Sequence, residues 1–101
     1  MNQLNNPNLE YIIKKADKKY LDFVRQNARK LLKEANYDNE SEIPNLPSFD
    51  KFLKDTLKPY LAKELKKKGY FNGAVEKLTK HYRNVFYYSS LPNLREQQQY
   101  L

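Results

Sequence analysis

Between Leu9 and Ala35, basic residues recur at positions that a helix would gather on one side: Lys14, Lys15, Lys18, Lys19, Arg25, Arg29 and Lys33. At about 100° per residue they fall within roughly 140° of arc, with Asp22 the one acid among them. Solvated helix faces ordinarily mix both signs, and a nearly single-signed face suits neutralisation of phosphates. A second cluster, Lys77, Lys80, Arg83, Asn84 and Tyr87, lies opposite the apolar stripe of a later helix, with His81 and Tyr88 at its border. Cations hold phosphates, an amide can pair with adenine, and a phenol ring can stack on an unpaired base. The expectation is non-selective docking by Lys14, Lys18, Arg25 and Arg29, with more selective contacts from Lys77, Lys80, Arg83, Asn84 and Tyr87. The competing reading of Tyr87 and Tyr88 is packing beneath the C-terminal segment, against Leu91, Leu94 or Leu101.

Other chemistries find little to work with. Cysteine is absent and His81 is the single histidine, so no thiolate or zinc ligand set can be assembled. Asp38, Glu40 and Glu42 alternate in an acidic stretch that lacks the glycine and spacing of a calcium loop. The two glycines, Gly69 and Gly73, form no phosphate-loop motif, and no nucleophile stands in a recognisable motif. We therefore expect no enzyme, no cofactor and no metal site.

The elements that would carry the two cationic faces are helices. Asn6-Pro7 reads as N-cap and first helical position, and Glu10 lies in the first turn. Leu9, Ile12, Ile13, Ala16, Tyr20, Phe23, Val24, Leu31 and Ala35 follow at steps of three and four. One long helix over about 7–35 is favoured over a break at Ala16-Asp17, where Asp17 would cap a second helix. Residues 36–47 are proline-, asparagine- and acid-rich and read as a loop, pinned to the core by Ile43 and Leu46.

Ser48 then reads as the cap of a helix over about 48–58, with Phe49, Phe52, Leu53 and Leu57 inward and Lys51, Lys54 and Lys58 outward. Pro59 lacks an N–H and clashes one turn back, which predicts a kink or break before a helix over 59–68. Lys66-Lys67-Lys68-Gly69 is a helix stop. Asn72 is the expected cap of a helix over 72–88, which Ser89, Ser90 and Pro92 should end, leaving 90–101 as a short terminal segment, either one or two helical turns or loose chain.

The 101 residues, with 40% hydrophobic and 31% charged, suit a small all-α single-domain bundle of three to five helices. The pair around Gly69, with Ala62 in its first member, is loosely helix-turn-helix-like. The net charge of +7 is spread over the helical segments, +4 over 1–36, +4 over 48–68 and +2 over 69–101, against −3 over 37–47. No apolar run approaches the length of a membrane span, and residues 1–7 carry no apolar signal core.

These features lead us to expect a cytoplasmic, membrane-free accessory or regulatory protein that binds DNA or RNA. The rival class is a protein-binding module or inhibitor that covers an acidic surface of a larger protein. A third class is a helical assembly subunit in which Tyr70, Phe71, Tyr87 and Tyr88 meet another copy.

Overall fold

The computed structural model describes residues 7–37 and 43–98, and among them every regular element is helical. In chain order these are α1 (Pro7–Gln26), α2 (Ala28–Tyr37), α3 (Pro47–Phe52), α4 (Lys58–Lys67), α5 (Asn72–Val85) and α6 (Leu91–Gln98). Single π-helical turns, Leu53–Leu57 and Phe86–Ser90, join α3 to α4 and α5 to α6 without a break. The protein is an all-α bundle.

The first helix runs unbroken through Ala16-Asp17, because Ala16 is fully buried and Asp17 accepts the Tyr82 hydroxyl at 2.6 Å instead of capping a new helix. The interruption comes at Asn27. Its side-chain amide donates to the Phe23 carbonyl at 2.9 Å, and that carbonyl also takes the Asn27 N–H. The amide shares a helix carbonyl with the main chain, and the backbone ladder still crosses the site, with Leu31 N–H on the Asn27 carbonyl at 2.9 Å. The expected cap Asn6 and the acidic residues Asp38, Glu40 and Glu42 lie outside the described residues. Of the two expected loop anchors only Leu46 is buried; Ile43 is exposed and Pro44 takes the inward place.

Pro59 neither breaks the helix nor ends it. In a regular α-helix its ring would crowd the carbonyl four residues back. Here the preceding turn is widened, and Lys58 N–H donates to the carbonyl of Leu53, five residues earlier. The wide turn also solves a registry problem. Sixteen residues of regular α-helix from Phe49 to Leu65 would rotate the apolar stripe by about 160°, yet Phe49, Phe52, Leu53, Leu57, Leu61 and Leu65 are all buried.

The same device recurs at Pro92. Leu91 N–H donates to the carbonyl of Phe86, and the apolar pattern takes a five-residue step from Phe86 to Leu91 before Leu94. The helix expected to stop at Ser89-Ser90 therefore continues as α6, with Leu91 and Leu94 in the core and the Ser90 hydroxyl bonded to that of Tyr20.

The stop at Gly69 is as expected. Gly69 has φ +84°, and Tyr70 N–H closes on the Leu65 carbonyl at 3.0 Å. A left-handed residue without Cβ makes that reversal at little cost.

Two caps differ from expectation. Ser48 is the second residue of α3; its N–H and hydroxyl both donate to the Glu34 carboxylate of α2. A carboxylate at a helix N-terminus also complements the dipole. Replacing Glu34 with Ala leaves a partly buried N–H without its partner and should cost about 1–2 kcal/mol. Replacing Ser48 with Ala removes the hydroxyl arm alone and should cost less. Urea unfolding of the two variants checks the order. The second difference is at α5, where Phe71 and not Asn72 occupies the N-cap position.

The core is one cluster drawn from all six helices and both π-turns. Ile13, expected inside, and Leu78 of α5 lie at its edge and are only partly buried. Phe49 is its aromatic hub, stacked on Phe86 with ring centres 4.3 Å apart and edge-on to Tyr20 and Tyr87. Burial pushes the phenol pKa values of Tyr20, Tyr82 and Tyr87 up; at Tyr82 the Asp17 carboxylate adds to this.

The consequence is alkaline instability. Below about pH 10 these phenols are protonated in both folded and unfolded chains. Above it the unfolded chain releases protons that the fold retains, so stability falls as pH rises, by about 1.4 kcal/mol per pH unit for each such phenol. Urea midpoints should therefore drop steeply between about pH 10 and 12, and Tyr82→Phe should shallow the drop.

Candidate functional site

The rod formed by α3, its π-turn and α4 lies against α5, and a groove of about 480 Å³ opens along their seam. Its walls carry Lys54 and Lys58 from the rod and Lys80, Arg83 and Asn84 from α5, with Thr79 beside them. Lys54 stands within the π-turn and Lys58 directly follows it. The turn that re-registers the apolar stripe thus also sets the cationic wall. Such turns are frequent at functional sites.

Two carboxylates belong to the same groove. Glu76 pairs with Lys58 at 2.8 Å, and Asp50 lies 3.9 Å from Arg83. Both pairs are solvated, so each adds little to stability, and they hold the long cations over the groove. Among the described residues no carboxylate comes within 4.0 Å of Lys54 or Lys80. The groove therefore carries an excess of positive charge in a concave, partly apolar setting floored by Leu53. Such a lining can hold phosphate or carboxylate groups, with Asn84 and Thr79 as neutral hydrogen-bonding partners.

The structure divides the residues expected from the sequence. Lys80, Arg83 and Asn84 come together in the groove. Lys77 belongs elsewhere, to a depression of about 590 Å³ that it lines with Lys68 and Phe71. Lys14, Lys18, Arg25 and Arg29 are all exposed on α1 and α2, outside the groove. Their neighbours Lys15 and Lys19 are turned over the rings of Tyr11 and Tyr60, at 4.8 and 5.0 Å from the ring centres. Those contacts hold two of the seven cations in place and leave the outward ridge to the other residues.

Tyr87 is partly buried and makes its contacts within the fold. Its hydroxyl donates to the Pro44 carbonyl at 3.0 Å, and its ring meets Phe49 and Phe86 edge-on. It thus reaches the segment before α3 while packing against the core cluster to which Leu91 and Leu94 of the expected C-terminal cover belong; Leu101 lies outside the described residues. The adjacent Tyr88 is 70% exposed. His81 is exposed, its ring edge-on to that of Tyr82.

Lys54 and Lys58 line the groove without having been expected there, whereas Phe71 was expected at the surface only as a contact to another copy. The signal for the two lysines was present, since both lie opposite the apolar stripe of the 48–58 segment. Their partnership with Lys80 and Arg83 arises only when α5 docks on the rod.

Comparison with family models, curated proteins and solved structures finds no match to this chain. Among the described residues no helix is long and apolar enough to cross a membrane.

Proposed function

We propose that this protein binds nucleic acid as an accessory or regulatory factor, docking on phosphates through its cationic helix surfaces. The observation that carries this reading is the convergence of Lys54, Lys58, Lys80 and Arg83 on one groove beside Asn84 and Thr79. Phosphates seated there displace condensed counterions, which gives affinity without base preference. In this reading Asn84, which lines the groove, contacts a base edge or sugar once the backbone is seated. The exposed ridge of Lys14, Lys18, Arg25 and Arg29 adds long-range attraction and a second, non-selective contact.

Residue choice supports phosphate over protein as the partner. Lysine is depleted at protein interfaces and common on phosphates, and three of the four groove cations are lysines.

The test is fluorescence anisotropy with labelled duplex and single-stranded oligonucleotides near 150 mM salt. Binding that weakens linearly in log–log against salt supports the reading. If neither oligonucleotide binds and the purified protein instead forms a stoichiometric complex with an acidic protein, the interface-module reading replaces it.

A further inference from the structure

The corner between α4 and α5 presents a large apolar ring to water. Phe71 is 87% exposed, while five other aromatic side chains, Tyr20, Phe49, Phe52, Tyr82 and Phe86, are buried. It also holds the N-cap position of α5 with no side-chain cap bond, although an asparagine follows directly in the chain. Phenylalanine has no oxygen to offer there, and the usual cap residues do. A position that forgoes both burial and capping departs from local rules, as binding sites commonly do. Its backbone is nonetheless fixed, because Ala74 N–H closes on the Phe71 carbonyl at 3.0 Å.

The surroundings point to one kind of occupant. Phe71 shares its depression with Lys68 and Lys77, and no carboxylate lines it. Gly69 and Gly73 lie alongside, and a Cβ at either would meet nothing within 4 Å. The ring therefore stands beside open space, flanked by cations.

We infer that this corner is a stacking platform for single-stranded nucleic acid, with a base on the Phe71 ring and flanking phosphates on Lys68 and Lys77. The inference rests on the nucleic-acid reading above and narrows its substrate class. Bases inside a duplex already stack on both faces, so an aromatic platform selects strands whose bases are free. A membrane surface or an apolar protein patch would also meet Phe71, but neither needs an aromatic ring over another apolar side chain. That difference makes the proposal testable.

The experiment compares wild type with Phe71→Ala, Phe71→Leu and Phe71→Trp, using fluorescent oligothymidine, oligouridine and a duplex of equal length at physiological salt. Circular dichroism melts should coincide for all four proteins, since Phe71 is exposed. Phe71→Ala should weaken single-strand binding about 5- to 150-fold, leaving duplex binding and the salt slope unchanged. Phe71→Leu should resemble Phe71→Ala. Phe71→Trp should retain affinity, and since the chain has no tryptophan of its own, the introduced indole reports directly: its emission should be quenched when either oligonucleotide stacks on it.

Leucine binding as well as phenylalanine, or indole emission unchanged at saturation, overturns the platform. If duplex and single strand bind but Phe71→Ala alters neither, the platform fails and phosphate docking stands. If wild type binds no oligonucleotide at all, both fall together.

Discussion

Replacing Lys54, Lys58, Lys80 and Arg83 together with Ala is expected to flatten the salt dependence of nucleic-acid binding. Each lost phosphate contact lowers the log–log slope by about 0.9 on duplex. Four such contacts correspond to a roughly hundredfold difference in how far affinity falls between 50 and 200 mM salt. The variant should fold, because all four side chains are exposed and the two ion pairs they form are solvated. Surface pairs of this kind contribute about 0–1 kcal/mol each. The matching replacement of Lys14, Lys18, Arg25 and Arg29 removes the same charge from the α1 and α2 ridge. If the groove is where phosphates sit, the groove variant loses more slope than the ridge variant. Equal losses would mean that net charge alone is being measured and that the groove is no site.

Phe49→Ala should produce a larger loss of stability than Leu78→Ala, Glu34→Ala or Ser48→Ala. Phe49 is fully buried, and its ring lies within 6.5 Å, centre to centre, of Tyr20, Phe23, Phe52, Phe86 and Tyr87. Truncating a buried Phe costs about 3–5 kcal/mol through lost transfer energy and the cavity left behind. Domains of this size have about 5–15 kcal/mol in all, so the variant should be partly unfolded at moderate temperature. Leu78→Ala is the comparison. Leu78 lies at the core's edge, so its loss should fall below the roughly 2–5 kcal/mol of a fully buried leucine. Urea unfolding of both variants decides it; a Phe49→Ala loss below that of Leu78→Ala would contradict the hub.

Much of the helical architecture is legible from local patterns because its causes are local. Three- and four-residue apolar steps, the lysines before Gly69 and the absence of long β-branched runs all act within a turn or two of chain. Pro59 and Pro92 show the limit of that logic. Read alone, Pro59 predicts a kink or a break and Pro92 the end of its helix. In the fold, burial of Leu57, Leu61 and Leu65 on one side, and of Leu91 and Leu94 on the other, outweighs the lost hydrogen bond. A single widened turn accommodates the ring. The five-residue step from Phe86 to Leu91 was the sequence signal for such a turn.

The site divides in the same way. The amino-acid sequence by itself determined the helical class, the stop at Gly69, and cations on the outward side of the helices, because periodicity sorts side chains about a helix axis whatever packs against it. Tertiary structure alone decided which cations share a surface. Docking of α5 on the α3–α4 rod joined Lys80 and Arg83 to Lys54 and Lys58 and separated them from Lys77. It turned Tyr87 inward to Pro44 and left Phe71 in water. It also gave Ser48 its cap from Glu34, fourteen residues away. Such partnerships depend on how helices distant in sequence pack together, and no short window of sequence encodes that.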